Sequence, residues 1–338
     1  MVAADDFPII VLGASAGGVE ALTSVVGSLP PDVGAAVLVV LHISPVGLSV
    51  LPDILERAGK LPAIHPADGE LLKPDRVYVA PPDHHLLVHR GRVGVSRGPT
   101  EHRARPAIDP LFRSAAAAYG PQVVGVVLSG TLDDGTEGLR AINARGGVSV
   151  VQDPEDALFP GMPASAVRYA DPQHIVALRD IPALLEGLAR QLTGKGDEFV
   201  PEESGVPPRR EWQEDALSSL SCPDCRGVLR EHFDGDLLRF QCRIGHAYSA
   251  SSLLLAQGDE LERALWSATV ALEEQSDLCQ RLSRRMRERG HEGTARRYDL
   301  QATSAAEQAK VVRDVVLQLG HTRGHHVDVG VPEEQEGA

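Results

Sequence analysis

Aromatic side chains and long apolar runs are scarce in this sequence. Phe, Trp and Tyr together make up 4% of the 338 residues, too few for the stacked aromatic surfaces with which proteins hold single-stranded nucleic acid. No run of about 18 apolar residues is present, so we expect no membrane insertion. The N-terminus, Met-Val-Ala-Ala-Asp-Asp, is acidic where a secretory signal would be basic. These absences predict a soluble protein of the cytoplasm.

Positive charge and cysteine are also in short supply. The chain has 33 Lys and Arg against 47 Asp and Glu, a net charge of -14. We expect no nucleic-acid partner, because phosphate binding relies on Lys and Arg. Three of the four cysteines lie between Cys222 and Cys242, which favours a metal site over a disulfide framework. The length and the 43% hydrophobic content predict about two domains with a sizeable core.

A short apolar run near the N-terminus, Ile9 to Leu12, leads into the small-residue turn Gly13-Ala14-Ser15-Ala16-Gly17-Gly18. An amphipathic segment from Val19 to Leu29 follows, and the whole pattern predicts a strand, a tight turn and a helix. The G-x-S-x-G spacing is typical of turns that hold a serine hydroxyl above the end of a sheet. Two alternatives remain: a glycine-rich turn whose serine only caps the helix, and a less favoured dinucleotide-binding turn, in which Ser15 would replace an essential glycine.

Two further apolar runs, Ala36 to Leu41 and Val123 to Leu128, have the composition of strands buried on both faces. Shorter strand patterns and helical patterns alternate with them up to a closing helix from Ile181 to Leu192. This alternation predicts an α/β fold with a doubly wound, mostly parallel sheet. We expect hairpin-like strands at one sheet edge between Leu61 and Val95, and a helix from Asp109 to Tyr119 with Asp109 as its N-cap.

Polar side chains follow each of the three apolar strands. Ser15 follows the first, His42 the second, and Asp133 and Asp134 the third, so parallel pairing would bring them to one sheet edge. A histidine can remove the proton of a serine hydroxyl, and an aspartate can orient that imidazole and stabilise its charged form. Backbone N–H groups after Ser15 are candidates to stabilise an oxyanion. Each residue alone has a simpler interpretation, His42 as a loop histidine and the Asp pair as a capped turn.

Six motifs occur in order along the first half of the chain. They are Gly13-Ala14-Ser15-Ala16-Gly17-Gly18, Leu41-His42-Ile43-Ser44-Pro45, Ala80-Pro81-Pro82-Asp83-His84-His85-Leu86, Ile108-Asp109-Pro110-Leu111-Phe112, Leu128-Ser129-Gly130-Thr131-Leu132-Asp133-Asp134-Gly135, and Gln152-Asp153 through Gly161-Met162-Pro163. Together they resemble the catalytic domain of CheB-type protein-glutamate methylesterases, over about residues 6 to 192.

The resemblance implies a mostly parallel α/β domain that hydrolyses glutamyl γ-methyl esters on chemoreceptors and often deamidates receptor glutamines. It implies Ser15 as the nucleophile, His42 as the base and Asp134 as the orienting carboxylate, with Asp133 as its neighbour. No catalytic cofactor is expected. The expected partner is a methylated chemoreceptor-like protein.

The same resemblance implies a turn for the oxyanion and the substrate, formed by Ala16, Gly17, Gly18 and Thr131. Ala16 and Thr131 depart from the family, which often has a polar residue after the serine and commonly Met at the second position. These departures leave open a non-catalytic regulatory or protein-binding module of the same fold. Because only eight residues precede the first strand, we expect no N-terminal receiver domain. Activity is then expected to be constitutive, or to be controlled by the C-terminal region or by a separate methyltransferase or signalling partner.

The second half contains the pattern Cys222-x2-Cys225-x16-Cys242-x3-His246. Three thiolates and an imidazole suit tetrahedral Zn(II), and four protein ligands would make the zinc structural, in a small zinc-ribbon-like unit. His232 is a substitute for His246, and cysteines that bind nothing are the alternative. Several arginines near the cysteines suggest a nucleic-acid-reading ribbon as a further alternative, although a solvated basic surface is the commoner explanation.

Beyond this unit, apolar residues recur at heptad spacing in two segments separated by Gly290 and Gly293. The first segment carries two rows, Leu254, Leu261, Ala268, Gln275 and Leu282, and Leu265, Leu272, Cys279 and Met286. The second carries one row, Ala295, Tyr298, Ala302, Ala305, Ala309, Val312, Val316 and Leu319. The pattern predicts two helices in an antiparallel hairpin, or a coiled-coil dimer.

The sequence therefore predicts five segments. They are a catalytic domain (residues 6–193), a linker (194–211), a zinc-ribbon-like module (212–249), a helical hairpin or coiled coil (250–320) and a disordered tail (321–338).

Overall fold

A computed structural model describes residues 7–193, 199, 216–234 and 236–323. The chain divides into two compact units, Met1–Leu253 and Leu254–Ala338. Apart from Phe199, the predicted linker lies outside the described residues, as does the predicted tail from residue 324 onwards. Residues 321–323, which we expected in that tail, are helical.

The strands follow one another as β1 (Ile9–Ala14), β2 (Ala36–Leu41), β3 (Ala63–Ile64), β4 (Arg76–Val79), β5 (His85–His89), β6 (Arg92–Ser96), β7 (Val123–Val127), β8 (Val148–Gln152), β9 (His174–Val176), β10 (Ala216–Ser221), β11 (Val228–Asp234), β12 (Leu237–Cys242) and β13 (Ala247–Ser249). The α-helices are α1 (Gly18–Ser28), α2 (Leu51–Ala58), α3 (Ile108–Tyr119), α4 (Thr136–Ala144), α5 (Gly161–Ala170), α6 (Ile181–Leu192), α7 (Ala250–Glu288) and α8 (Glu292–Arg323).

Seven strands form one sheet in the order β3-β4-β2-β1-β7-β8-β9, and every neighbouring pair in it is parallel. Helices α1, α2 and α6 pack on one face, and α3, α4, α5 and the β5–β6 hairpin pack on the other. The predicted doubly wound α/β fold is therefore confirmed. Each apolar side chain buried in such a core contributes roughly 1.5–3 kcal/mol.

The chain reverses its direction of progress across the sheet between β1 and β7, with β2 on the other side of β1. Ligands bind beyond the carboxyl ends of strands at such a switch point. Gly13 in β1 lies against the start of α3, where a Cβ would be 2.4 Å from Ile108 Cγ2. The missing side chain lets the first turn of α3 approach this end of the sheet.

The expectation for residues 61–95 was partly wrong. Only β5 and β6 form an antiparallel hairpin, whereas β3 and β4 join the main sheet with parallel pairing, as between Val37 and Val77. The physical reason is burial. Val77, Tyr78 and Val79 are all buried, which suits a strand covered on both faces better than an exposed hairpin.

Strands β10 to β13 form a four-stranded antiparallel sheet that belongs to the same compact unit as the parallel sheet. We call these residues, 216–249, the ribbon module. Its last strand is joined to the loop before α3 by backbone hydrogen bonds, from Ala247 N–H to Thr100 O (3.3 Å) and from His102 N–H to Ala247 O (2.9 Å). The ribbon module is thus packed directly on the α/β fold.

The second unit contains most of α7 and all of α8, which run antiparallel: Ser276 Oγ donates to Ala302 O at 2.9 Å and Ser283 Oγ donates to Ala295 O at 3.1 Å. The predicted hairpin is confirmed, and the predicted row of α8 faces inward. Among the described residues, no helix is long and apolar enough to cross a membrane.

One predicted row of α7 is wrong. Leu254 and Leu261 are exposed, and the inward row lies one residue further along, at Thr269, Ser276 and Ser283. The reason is the close approach of the helices. Small hydroxyl side chains take these positions: Ser276 and Ser283 bond to carbonyls of α8, and Thr269 bonds to Leu265 O within α7. A search for apolar residues overlooks this preference.

Burial of the α8 row predicts that adjacent alanines respond differently to the same substitution. Ala305 is 3% exposed, whereas its neighbour Ala306 is exposed. Ala305→Glu should destabilise the hairpin by about 2 kcal/mol or more, because it buries an unpaired carboxylate, and Ala306→Glu should change stability by less than about 0.5 kcal/mol. Urea unfolding followed by circular dichroism at 222 nm measures both. Equal effects of the two changes would contradict the packing.

Candidate active site

Ser15 lies directly after β1, in the turn that leads to α1. Its backbone N–H donates to Ser129 O at 3.0 Å, which ties this turn to the end of β7. Gly17 has a φ of 69°, the left-handed conformation that favours glycine, and directly precedes α1. The predicted strand, tight turn and helix are therefore present, with the serine at the bend.

His42 and Asp134 reach Ser15 from the neighbouring strands. His42 Nδ1 lies 3.1 Å from Ser15 Oγ, and His42 Nε2 lies 2.7 Å from Asp134 Oδ2. His42 follows β2 and Asp134 follows β7, so the three residues stand at the ends of three adjacent strands. The structure brings the three side chains together as the sequence predicted, although they are far apart along the chain.

Asp134 is held by the start of α3. Its Oδ2 accepts the N–H of Ile108 at 2.7 Å, and its Oδ1 accepts the N–H of Asp109 at 2.9 Å. The first N–H groups of a helix have no partner within the helix and favour a negative charge. Burial alone would raise the pKa of Asp134, but His102, His42 and the helix N–H groups outweigh it and hold the pKa well below its usual range.

The charge on Asp134 determines the tautomer of His42. An ionised carboxylate can only accept, so Nε2 of His42 carries the proton that it donates to Asp134. Nδ1 is then the unprotonated nitrogen, and it accepts the Ser15 hydroxyl proton. The arrangement can activate a serine for attack on a carbonyl, with the ring nitrogens exchanged relative to the usual serine protease arrangement.

The turn after Ser15 offers backbone donors for an oxyanion. Gly18 N–H is already bonded to Ser15 O at 2.9 Å, so the donors available from the predicted turn are the N–H groups of Ala16 and Gly17. Thr131 is exposed in the loop after β7. Its neighbour Gly130 lies against Ser15, where a Cβ would be 2.9 Å from Ser15 Cβ.

The family model described as CheB methylesterase matches residues 10–185, a span that includes β2, β7, all of β1 except Ile9, and all three site residues. The chain belongs to the CheB methylesterase family. The resemblance expected from the six motifs is confirmed.

Curated relatives agree with this assignment. A Leptospira interrogans protein of the protein-glutamate methylesterase/protein-glutamine glutaminase group is 34% identical over 180 residues, which are 53% of this chain and 93% of the relative. Protein-glutamate methylesterase/protein-glutamine glutaminase 4 of Myxococcus xanthus is 39% identical over 184 residues, 54% of this chain and 52% of that relative. The crystal structure of the Thermotoga maritima CheB methylesterase catalytic domain matches with a TM-score of 0.52 and 31% identity, over 54% of this chain and 98% of that one.

A second set of charged residues lies behind Asp134 in this CheB-family domain, and we did not anticipate it as a set. We expected Asp109 to cap its own helix, α3. Instead it accepts the N–H groups of Gly135 (3.0 Å) and Gly138 (2.7 Å) at the start of α4. That expectation was wrong because proximity in sequence does not show which helix start lies nearest in space. Asp109 Oδ2 also lies 2.8 Å from His102 Nε2.

His102 is buried among carboxylates. Its Nδ1 lies 3.4 Å from Asp133 Oδ1, and its Nε2 lies 3.9 Å from Asp134 Oδ1. Burial and the neighbouring Arg239 lower the pKa of His102, but Asp134, Asp109 and Asp133 outweigh both and raise it to about 10. Nothing in the sequence around His102 distinguished it from an ordinary loop histidine.

The four predicted metal ligands also meet. Their ligating atoms all lie within 4.8 Å of one another. His246 Nδ1 is 3.6 Å from Cys222 Sγ and 3.4 Å from Cys242 Sγ, and Cys225 Sγ is 3.6 Å from Cys242 Sγ. His246 and not His232 completes this group, which could hold a structural metal ion.

The raised pKa of His102 predicts a pH-dependent contribution to stability. The ring has a pKa of about 10 in the folded protein and about 6.5 when unfolded. Its stabilising effect is therefore fully present below about pH 6.5 and is lost as the pH rises through about 10. His102→Gln should lower the free energy of unfolding at pH 6 by up to about 5 kcal/mol, and the difference from wild type should shrink towards pH 10.

Urea unfolding at pH 6, 8 and 10 measures the effect. His291→Gln, at an exposed histidine, is the control and should follow wild type throughout. A difference between His102→Gln and wild type that stays constant across this range would show that the neighbouring carboxylates do not stabilise the protonated form of His102.

Proposed function

We propose that this protein is a serine hydrolase of the cytoplasm that demethylates glutamate γ-methyl esters on a chemoreceptor-like protein, in chemotaxis or a related signalling process. The observation that carries the proposal is the contact chain Ser15–His42–Asp134, with distances of 3.1 Å and 2.7 Å. Membership of the CheB methylesterase family supports the choice of ester. Ser15 is assigned as the nucleophile, His42 as the general base and Asp134 as the orienting carboxylate.

In the first step, Ser15 Oγ attacks the ester carbonyl carbon while its proton passes to His42 Nδ1. Asp134 stabilises the imidazolium that forms. The negative charge that develops on the carbonyl oxygen is stabilised by the N–H groups of Ala16 and Gly17, at the positive end of α1. The methoxy group then leaves with the proton of His42 as methanol, and a glutamyl ester of Ser15 remains.

In the second step, His42 takes a proton from water, whose oxygen attacks the glutamyl ester. Ser15 leaves with that proton, and the product is a glutamate side chain. A glutamine side chain would follow the same path with ammonia in place of methanol. The names of the relatives, which include protein-glutamine glutaminase, support this second reaction.

The surroundings of Ser15 support a protein substrate. Leu158 is 71% exposed and Phe159 is 39% exposed, and Leu158 lies beside the turn, 3.1 Å from where a Cβ of Gly17 would be. Apolar side chains exposed together commonly mark a protein contact. We propose that they and Thr131 receive the segment that carries the methyl ester.

Replacement of Ser15 tests the proposed reaction. Ser15→Ala should lower the rate of methanol release from methylated receptor fragments by at least about 1,000-fold, because the nucleophile is lost. Ser24→Ala, at an exposed serine of α1, is the matched control and should retain the wild-type rate. Methanol release is measured under saturating substrate.

Labelling with a fluorophosphonate separates catalysis from mere binding. Wild type should gain one adduct by intact mass, and Ser15→Ala and His42→Ala should not. Wild-type protein that neither releases methanol nor labels would favour the non-catalytic module considered from the sequence.

We also infer that the cysteine and histidine cluster of the ribbon module binds one structural Zn(II). A tetrahedral site with bonds of about 2.3 Å has ligand atoms about 3.7 Å apart, close to the 3.4–3.6 Å of three of the pairs in this cluster, and all four atoms lie within 4.8 Å of one another. Cys222 and Cys242 are buried, and thiolates select zinc over oxygen-preferring metals. Bound zinc would cross-link the two turns that carry the ligands.

Metal analysis tests this assignment. Purified protein should contain about one zinc per chain, and Cys225→Ser should contain much less, because it loses one of four ligands. Cys279→Ser is the matched control, since this cysteine lies in α7 of the second unit and should leave the zinc content unchanged. Equal zinc content in all three proteins would exclude the cluster as the binding site.

The helical hairpin supports a further proposed contact. Among its exposed apolar side chains are Val270 (51%), Leu278 (58%) and Val311 (64%). We assign to this unit the docking of a separate methyltransferase or signalling partner.

A further inference from the structure

One arginine of the ribbon module reaches into the charged cluster behind Asp134. Arg239, on β12, has a side chain that is only 3% exposed. Its Nη2 pairs with Glu137 and lies 3.5 Å from Asp109 Oδ2. Its Nη1 lies 2.9 Å from His102 Nε2, where the two positive charges repel each other and lower the pKa of His102. A guanidinium this deeply buried is expensive to desolvate, so its placement calls for a physical explanation.

Strand β13, which pairs with β12, makes a second contact with the charged cluster. Ser249 on β13 stands opposite Arg239 in the antiparallel pair. Its hydroxyl donates to Asp133 Oδ1 at 2.9 Å, and Ser251 Oγ adds a bond of 3.3 Å to Asp133 Oδ2. This facing pair of residues, one rung of the ribbon sheet, therefore contacts two carboxylates near Asp134. Arg239 contacts Asp109, and Ser249 contacts Asp133.

These contacts affect the proposed site because the carboxylates repel one another. Asp109 and Asp134 are both fully buried, and their mutual repulsion raises the pKa of Asp109, second only to burial, whereas His102 and Arg239 lower it. Without the guanidinium, Asp109 would lose one of the cations that stabilise its negative charge. The carboxylates would then move apart or take up a proton. Either change would disturb the hydrogen bonds at the starts of α3 and α4 that hold Asp134 against His42.

We propose that Arg239 is a positioning residue for ester hydrolysis: from the ribbon module it neutralises Asp109 and Glu137, and so keeps Asp134 in place behind His42. This inference rests on the proposed function of Ser15, His42 and Asp134. It gives the ribbon module a role in the reaction through the residues that hold Asp134.

The inference extends to the metal cluster. Cys242 is the last residue of β12, three residues after Arg239 on the same strand. Its N–H donates to His246 O at 3.0 Å, and Gly245 N–H donates to Cys242 O at 3.0 Å, so the turn that carries two ligands is continuous with the strand that carries Arg239. A sheet this small depends on a cross-link such as zinc for its shape. Loss of the metal should therefore release Arg239 and lower the rate of hydrolysis.

Three arginine substitutions in the full chain test the proposal. Arg239→Met should lower kcat for methanol release by about tenfold to 100-fold, the size expected when a catalytic group is slightly misplaced. KM should stay within about twofold, because Arg239 does not contact substrate. Arg239→Lys should recover part of the lost kcat, since it restores the charge but not the planar fork. Arg243→Met, at an exposed arginine of the same module, should behave as wild type.

Two further measurements keep the result interpretable. Circular dichroism establishes that each variant is folded at the assay temperature, and the rate of fluorophosphonate labelling reports the reactivity of Ser15 without a methyl ester. Arg239→Met should label more slowly than wild type, and so should Cys225→Ser, whose zinc content is measured in the same samples. Cys279→Ser should label at the wild-type rate.

The outcomes separate the two proposals. If wild type releases methanol and folded Arg239→Met matches it in kcat and labelling rate, the positioning role is wrong and the proposed function stands. If Arg239→Lys is as slow as Arg239→Met, or if KM rises in place of a fall in kcat, the charge is not what positions Asp134. Wild type that labels but releases no methanol would refute the ester; slower labelling of Arg239→Met than of wild type would then support the positioning role, and equal labelling would overturn it. Wild type that does neither overturns both.

Discussion

The site depends on two buried carboxylates that bind the starts of each other's helices. Asp134, just before α4, accepts the first N–H groups of α3, and Asp109, in the first turn of α3, accepts N–H groups at the start of α4. This exchange fixes the two helices against the loop after β7. It also leaves one oxygen of Asp134 directed at His42, so that the orientation of the imidazole follows from the packing of two helices.

Such an exchange places negative charges close together in a buried region. Helix dipoles and N–H groups offset part of the cost, and His102 and Arg239 supply positive charge. Arg239 comes from the ribbon module, far along the chain from α3 and α4. The buried carboxylates of the α/β fold thus account for the burial of a ribbon arginine, and the ribbon module and the parallel sheet belong to one compact unit.

Local sequence patterns predicted the central strands and the residues that follow them. Runs such as Ala36 to Leu41 are apolar because both faces of a parallel strand are covered, so the pattern requires no knowledge of the partner strands. The same patterns failed where a polar side chain interacts with a distant segment. Asp109 was expected to cap α3, and Leu254 and Leu261 were expected to face α8. In the structure Asp109 binds α4, and serines whose hydroxyls bond to α8 take the inward positions in α7.

Apart from the choice of Asp134 over Asp133, which came from the family resemblance, the sequence by itself determined the doubly wound α/β fold, the meeting of Ser15 and His42 with an aspartate that follows β7, and the grouping of Cys222, Cys225 and Cys242 with a histidine. Each of these follows from periodicity or from fixed spacing, which local forces decide. Only the tertiary structure decided that His102, Asp109 and Arg239 form one charged cluster behind Asp134, and that one rung of the ribbon sheet contacts it. Coulomb interactions among buried groups depend on distances in space, and residues 102 and 239 become neighbours only when the two sheets pack together.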